Sequence, residues 1–128
     1  MKYLVDTHLL LWAAGEPDQL SPEAQSLFTD PDQAFIFSAA SIWEVAIKQG
    51  LGRQDFQADA RLLRRGLMEN GYLELALTSL HTAAVPDLPR IHKDPFDRIL
   101  IAQANVEGII LLTSDKQLTA YPGPIRLV

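Results

Sequence analysis

Short apolar runs that alternate with longer helix-like segments constrain this chain more than any other feature. The runs lie at residues 2–5, 34–37, 72–76, 109–112 and 125–128. Between them, apolar residues recur at helical spacing over about 7–14, 22–30, 39–49, 56–69, 79–85 and 95–107. Strands that alternate with helices in this way predict an α/β fold, in which helices cover both faces of a parallel sheet.

Composition sets the broad class. With 128 residues, 48% of them hydrophobic and 21% charged, the chain is expected to form one globular domain over residues 1–128. The absence of cysteine excludes disulfides, thiolate metal sites and a cysteine nucleophile, which fits a cytoplasmic location. No signal-peptide pattern is visible, and no apolar run approaches the roughly 20 residues of a membrane span. We therefore expect no membrane partner.

Acidic residues gather around the ends of the predicted strands. Asp6 directly follows the first strand, Asp115 follows the fourth, and Asp97 opens the helix before the fourth. The carboxyl ends of parallel strands share one edge of a sheet, where ligands bind. Carboxylates brought together there repel unless something neutralises them, and a hard divalent cation with oxygen ligands does so. Mg²⁺ and Mn²⁺ act mainly on phosphates, so the pattern favours a metal-dependent phosphodiesterase.

Most of these acids also have a structural interpretation. Asp6 and Asp115 each precede a helical segment and so suit an N-cap, and Asp94 followed by Pro95 suits the start of the next helix. The negative charge of Asp97, in the first turn, would then interact favourably with the dipole of that helix. From the residues alone, both interpretations stay open.

Glu44 fits the structural interpretation least. It lies mid-helix, beyond any capping position, where a carboxylate is normally exposed or paired, and Lys48 lies one turn further on. The buried stripe of this helix is expected to consist of apolar residues: Ile42, Trp43, Ala46 and Ile47.

Basic residues near the later acids are candidate substrate contacts. Lys93 and Arg98 would hold an RNA backbone, and His92 lies close enough in sequence to touch phosphate. The alternative is a solvated helix face, on which Arg98 pairs with Asp94. The net charge of −5 argues against a nucleic-acid coat protein but not against an enzyme whose acids bind a cation.

Four segments, in order along the whole chain, resemble the motifs of PIN-domain ribonucleases. They are Val5-Asp6-Thr7-His8, the segment from Ser38 to Val45, the segment from Asp94 to Ala104, and Leu112-Thr113-Ser114-Asp115. The most similar subgroup is the VapC-like toxins of bacterial toxin–antitoxin pairs. The resemblance implies a three-layer sandwich with a central parallel sheet of about five strands. It also implies an acidic pocket for one or two Mg²⁺ or Mn²⁺ ions, cleavage of single-stranded or loop RNA, and a homodimer.

Carried over by position, the resemblance implies a set of metal-binding and catalytic acids: Asp6, Glu44, Asp97 and Asp115. Thr7 and Thr113 match the supporting hydroxyls. The third motif contains two acids, and its spacing favours Asp97 as the ligand and leaves Asp94 as a supporting cap. Asp115 is expected to act through water or to shape the pocket.

The resulting hypothesis is metal-assisted hydrolysis of RNA by a toxin that a cognate antitoxin protein restrains. A first alternative is a non-catalytic module that binds a protein and whose acids are only caps; Glu44 argues against it. A second alternative keeps the metal and changes the substrate to DNA or a phosphomonoester.

Overall fold

The computed structural model describes residues 1–54 and 56–128. Its strands are Lys2–Val5 (β1), Ala34–Ser38 (β2), Leu73–Leu75 (β3), Ile110–Thr113 (β4) and Ile125–Leu127 (β5). Its α-helices are Thr7–Gly15 (α1), Pro22–Phe28 (α2), Ala39–Gly50 (α3), Ala60–Glu69 (α4), Ser79–Ala84 (α5) and Pro95–Glu107 (α6). Short 3₁₀ segments cover Pro17–Gln19, Val85–Asp87 and Lys116–Ala120. None of these helices is long and apolar enough to cross a membrane.

The five strands form one parallel sheet in the order β3-β2-β1-β4-β5. β1 lies at its centre, as the burial of Tyr3, Leu4 and Val5 requires, since both faces of the strand are covered. The predicted five-stranded parallel sheet is therefore confirmed. The chain builds outward from β1 on one side and then crosses to β4 on the other. The boundary between β1 and β4 is thus the switch point at which such sheets bind ligands.

Alternation along the strands divides the apolar core into two layers. Tyr3 and Val5 point to one face, where they join residues of α1, α2 and α4. Leu4 points to the other face, where it packs with Leu100 and Ile101 of α6. Because successive side chains of a strand point to opposite faces, both layers form from the same central strands. The result is a helix–sheet–helix sandwich.

The chain passes from strand to helix with almost no loop on the carboxyl edge of the sheet. Asp6 alone separates β1 from α1, and Ser38 is both the last residue of β2 and the N-cap of α3. Short connections of this kind bring the N-termini of the helices to the strand ends. Polar side chains at these junctions therefore meet at one edge of the sheet.

Two expectations from the sequence are wrong in detail. The helix predicted over 56–69 begins only at Ala60, because the Asp59 carboxylate accepts hydrogen bonds from the backbone N–H groups of Arg61 and Leu62 and caps the helix there. The sequence pattern therefore extends the predicted helix beyond its N-cap, Asp59.

The expected buried stripe of α3 is also wrong, except for Ile42, which packs partly buried against the apolar core. Trp43 is 58% exposed and Ile47 is 39% exposed, whereas Glu44 and Ser41 are buried. The reason is the neighbourhood of the helix: its inner face lies against the strand ends, where polar groups collect, rather than over the apolar part of the sheet. The position of α3 in the fold, more than the hydrophobicity of its side chains, therefore decides which of them are buried.

Candidate metal centre

Asp6 and Thr113 lie side by side at the switch point between β1 and β4. The Thr113 hydroxyl donates to Oδ2 of Asp6 at 2.5 Å, and it accepts a hydrogen bond from the Asp115 backbone N–H at 3.0 Å. All of Thr113 and nearly all of Asp6 are buried. One hydroxyl therefore connects the acid that follows β1 with the segment that follows β4.

Glu44 enters the same region from α3. Its side chain is buried. It forms an ion pair with Lys48, whose Nζ lies 2.6 Å from Oε2 of Glu44, and this confirms the expected pairing one helical turn apart. One turn earlier, Ser41 accepts a hydrogen bond of 3.0 Å from the hydroxyl of Thr7. This buried contact between α1 and α3 holds the helix that carries Glu44 against the helix that follows Asp6.

The carboxyl group of Asp97 is influenced by the charges of several other residues of the pocket. Burial raises the pKa of its carboxyl group to about 7, and the negative charges of Asp94, Glu44 and Asp6 add to the rise, while His92 opposes it. Burial also raises the pKa of Asp6, although hydrogen bonds from Thr113 and from the Leu9 backbone act in the other direction. Acids from three different elements thus lie close enough for their charges to interact unfavourably.

His92 joins Asp97 to Asp115. Its Nε2 lies 3.6 Å from Oδ2 of Asp97 and 3.7 Å from Oδ2 of Asp115, and one ligand atom from each of the three residues lies within 4.8 Å of the others. Its Nδ1 accepts the Asp94 backbone N–H at 3.1 Å. A neutral imidazole in this arrangement carries its proton on Nε2, directed at the two carboxylates. Tyr121 anchors the backbone of His92, because its hydroxyl accepts the His92 backbone N–H at 2.6 Å.

Capping and pocket formation occur together in the same carboxylates. Oδ1 of Asp6 accepts the Leu9 N–H that begins α1, and Oδ1 of Asp115 accepts the Gln117 N–H of the next 3₁₀ segment. In each case the cap uses Oδ1, while Oδ2 faces Thr113 or His92. The two interpretations that the sequence left open are therefore compatible.

Asp94 is the N-cap of α6. Its Oδ1 accepts the backbone N–H groups of Phe96 at 2.8 Å and Asp97 at 3.4 Å. It therefore orients the first turn of the helix that presents Asp97, and its charge is the largest electrostatic influence on that neighbour after burial.

Arg98 does not make the ion pair with Asp94 that the sequence suggested. Its guanidinium donates to the carbonyl oxygens of Pro89 at 2.8 Å and Val85 at 3.2 Å, and to the Tyr121 hydroxyl at 3.3 Å. These contacts hold the loop that leads to His92. Lys93, by contrast, is exposed beside the pocket.

The donor set suits a hard divalent cation. The converging groups are carboxylate oxygens, with a single imidazole at the rim; burial is the main cause of the raised pKa of Asp97, and repulsion from the neighbouring acids adds to it. Oxygen-rich sites of this kind match Mg²⁺ and Mn²⁺, and a cation would remove the repulsion. The residues present therefore fit the metal expected from the sequence.

The sequence does not predict the contacts that two further residues, Tyr121 and Ser41, make around the pocket. Tyr121 comes after a 3₁₀ segment and before Pro122, and nothing in its local pattern points to His92, 29 residues earlier. Ser41 falls on the same helical stripe as Glu44, and that spacing was the available signal for its contact with Thr7.

Comparison with known proteins supports a specific family. The family model of the PIN domain matches residues 3–124, which is nearly the whole chain. No curated protein sequence matches.

Solved structures share the fold at low sequence identity. A chain of VapBC2 from Rickettsia felis, whose crystal structure is bound to a DNA fragment from the promoter, aligns with a TM-score of 0.71 at 13% identity, covering 99% of this chain and 98% of that one. A chain of VapBC-1 from nontypeable Haemophilus influenzae aligns with a TM-score of 0.60 at 15% identity, with the same coverage. PAE2754 from Pyrobaculum aerophilum aligns with a TM-score of 0.54 at 21% identity, covering 94% and 84%.

Proposed function

Because the chain belongs to the PIN-domain family, a family of nucleases, we propose that it is a Mg²⁺- or Mn²⁺-dependent endoribonuclease and the toxin of a toxin–antitoxin pair. The observation that carries this proposal is the electrostatics of Asp97. A carboxyl group whose pKa is raised to about 7 by burial and by three neighbouring acids is poorly compensated by the protein. Strongly perturbed groups in a cleft are characteristic of functional sites. A bound cation supplies the missing charge.

In this proposal Asp6, Glu44 and Asp97 would hold one or two ions, and Asp115 would act at the open side of the pocket. An ion held there would supply charge that lowers the pKa of a bound water molecule and offsets negative charge on the phosphate. Thr113 and Thr7 support the acids through the hydrogen bonds described above.

The protein groups have distinct tasks in hydrolysis. Because burial raises the pKa of Asp97 to about 7, its carboxyl group would give up a proton when a cation binds near or below that pH. Glu44 or Asp115 orients the attacking water and accepts its proton. The exposed ammonium of Lys93 would bind the phosphate backbone on the outer side, and His92 would contact the substrate at the rim of the pocket, beside Asp97 and Asp115. We assign to Arg98 the support of the 85–89 loop, since three of its five N–H donors bind Pro89, Val85 and Tyr121.

We propose further that residues 1–128 act as one domain, that the protein works in the cytoplasm, and that it forms a homodimer and binds a cognate antitoxin. The fold similarity to chains of VapBC2 and VapBC-1 supports the antitoxin partner. The products would be a 5′-phosphate and a 3′-hydroxyl, as the resemblance implies.

The test is a cleavage assay on end-labelled single-stranded RNA, a tRNA pool and a DNA oligomer of matched sequence. We expect cleavage of RNA that requires Mn²⁺ or Mg²⁺, stops with EDTA, and is lost in Asp97→Asn. Asp18→Asn is the matched control, because Asp18 is an exposed acid on a 3₁₀ segment remote in sequence from the pocket acids. Full metal-dependent cleavage by Asp97→Asn would contradict the assignment of Asp97 to the metal site. Cleavage of the DNA oligomer alone would show that the substrate is DNA and not RNA.

A further inference from the structure

Two aromatic rings meet at the surface beside the acid pocket. The centroids of Trp43 on α3 and Phe96 on α6 lie 5.3 Å apart, with the ring planes at 73°. An edge-to-face contact of this kind holds two rings in a defined orientation without stacking one on the other. Ring faces therefore remain available for a planar ligand.

Each aromatic residue directly precedes an acid of the proposed centre. Trp43 precedes Glu44 and Phe96 precedes Asp97, and the charge of Glu44 acts on Asp97. Consecutive side chains of an α-helix diverge by about 100°, so each helix presents its acid inward and its aromatic ring on the adjoining face. The aromatic pair and the acid pair thus form neighbouring parts of the same α3–α6 junction.

Folding alone does not account for this arrangement. Trp43 remains 58% exposed, whereas a tryptophan that serves the core is largely buried. Phe96 is only half-buried, and its backbone N–H is held by the cap of α6, 2.8 Å from Asp94. The same cap therefore orients both the aromatic residue and Asp97.

We propose that Trp43 and Phe96 form a base-stacking surface that receives a nucleotide next to the scissile phosphate of single-stranded RNA. This inference rests on the proposed function. Proteins that bind single strands combine phosphate contacts with aromatic rings on which bases stack, and the base must be unpaired to reach them. A surface at the edge of the phosphate site selects single-stranded or loop RNA over a duplex, whose bases are already stacked.

A second copy of the chain is the competing occupant of this surface. Ile47 and Leu51 continue the exposed apolar stripe of α3 at intervals of four residues from Trp43. A protein partner would cover the whole stripe. The observation that favours RNA is the position of the Trp43–Phe96 pair, which lies at the end of the stripe and directly beside the acids.

Fluorescence of Trp43 tests the proposal. Trp12 is the other tryptophan, so the Trp12→Phe variant leaves Trp43 as the only reporter. This variant is mixed with Mn²⁺ and a 12-nucleotide oligoadenylate in a stopped-flow instrument, before turnover, and in parallel with an abasic ribose-phosphate oligomer of equal length. Anisotropy of labelled oligomers measures binding independently.

We expect oligoadenylate to quench Trp43 and the abasic oligomer to bind without quenching it. In the Trp12→Phe background, Trp43→Ala should weaken oligoadenylate binding about tenfold and leave abasic binding unchanged, while Trp43→Phe retains most of the affinity. Leu51→Ala is the matched control, because Leu51 is 64% exposed on the same stripe and should leave RNA binding unaltered.

The other outcomes overturn the inference in distinguishable ways. Mn²⁺-dependent binding of both oligomers without quenching would reject base stacking and leave the proposed nuclease intact. If neither oligomer bound, both the proposed function and the stacking surface would be rejected. Sedimentation that shows a dimer lost equally in Trp43→Ala and Leu51→Ala would assign the surface to a second copy.

Discussion

The two halves of helix α6 belong to two polar clusters whose groups are paired in different ways. The N-terminal half contributes Asp97 to the acid pocket, which also includes Asp6, Glu44 and Asp115. The C-terminal half contributes Gln103 and Glu107 to a second cluster around His81, here called the His81 network, which also includes Ser38 and Thr78. Both clusters combine buried side chains with partly exposed ones, so the difference lies in how their groups are paired.

In the His81 network, donors face acceptors. The Ser38 hydroxyl donates to Gln103 Oε1 at 2.5 Å, and the Gln103 amide lies 3.3 Å from Nδ1 of His81. The Thr78 backbone N–H donates to the same Nδ1 at 3.0 Å, and Nε2 lies 2.9 Å from Glu107 Oε2. A buried network that is fully paired specifies a unique packing and stabilises the fold. It needs nothing from outside the chain.

In the acid pocket, the converging groups are mostly acceptors of the same charge. Its hydrogen bonds hold the carboxylates in place, but burial and, to a smaller extent, repulsion between the acids still raise the pKa of Asp97. Such an arrangement costs stability and persists where function requires it. The comparison therefore separates a cluster whose groups satisfy one another from a cluster that, under the proposed function, a cation completes.

The sharpest way to break this comparison is Asp97→Asn, for which we expect opposite effects on activity and on stability. Loss of one metal ligand should lower kcat/KM on the RNA substrate by about 10³-fold. The melting temperature of the metal-free protein should stay the same or rise, because one repelling charge is gone. Activity assays and thermal unfolding in EDTA measure the two effects. A large loss of stability would mean that Asp97 belongs to the fold.

Gln103→Leu is the converse substitution, in the His81 network. It leaves Ser38 without its acceptor and His81 without one of its partners, both in fully buried positions. We expect a loss of about 3 kcal/mol in the free energy of unfolding. Urea denaturation measures it, with Gln117→Leu as a control at an exposed glutamine. An unchanged midpoint would show that the network does not stabilise the fold.

Divalent cations should stabilise only the molecule whose acid pocket is intact. At Mn²⁺ concentrations about 100-fold above the dissociation constant, linkage predicts about 2.7 kcal/mol of added stability. The melting temperature should rise by several degrees in wild type and in Gln103→Leu, and EDTA should reverse the rise. Asp97→Asn should show little or no rise. An equal rise in all variants would indicate non-specific ion binding.

The smallest expected effect is the pH dependence of the metal-free protein. The pKa of Asp97 is about 7 in the folded state and 3.8 as its ordinary value, so the folded state binds the proton more tightly. Its contribution to stability is therefore full at low pH and is lost as pH rises towards 7. Between pH 5.5 and 7.5, wild type should lose up to about 1 kcal/mol per pH unit relative to Asp97→Asn. If the stability of the two proteins changed with pH in parallel, the pKa of Asp97 would not be raised in the folded state.

Much of this contrast can be predicted from the sequence. The placement of acids behind apolar runs predicts that they meet at the strand ends, and the spacing of Glu44 and Lys48 predicts their ion pair, which the structure confirms. These features depend on local periodicity and on the geometry that all parallel sheets share.

The features that sequence reasoning missed depend on long-range packing. The exposure of Trp43 follows from where α3 lies against the strand ends, and hydrophobicity alone predicts the opposite. Tyr121 orients His92 across 29 residues, and Gln103 reaches Ser38 across 65 residues. Gln103 nevertheless has a recognisable signal, because it is a polar residue within the otherwise apolar stretch Ile99–Ala104 of α6.

The central claim is that the acid pocket is an incomplete site that a cation completes, and calorimetric titration of the EDTA-stripped protein with Mn²⁺ tests it most directly. The titration is performed at pH 6 in two buffers with different ionisation enthalpies, so that proton release is measured together with binding. We expect saturable binding that releases close to one proton per protein, because Asp97 ionises as the cation enters. Asp97→Asn and Asp6→Asn should bind weakly or not at all. Absence of binding by wild type, or equal binding by all three proteins, would contradict the account.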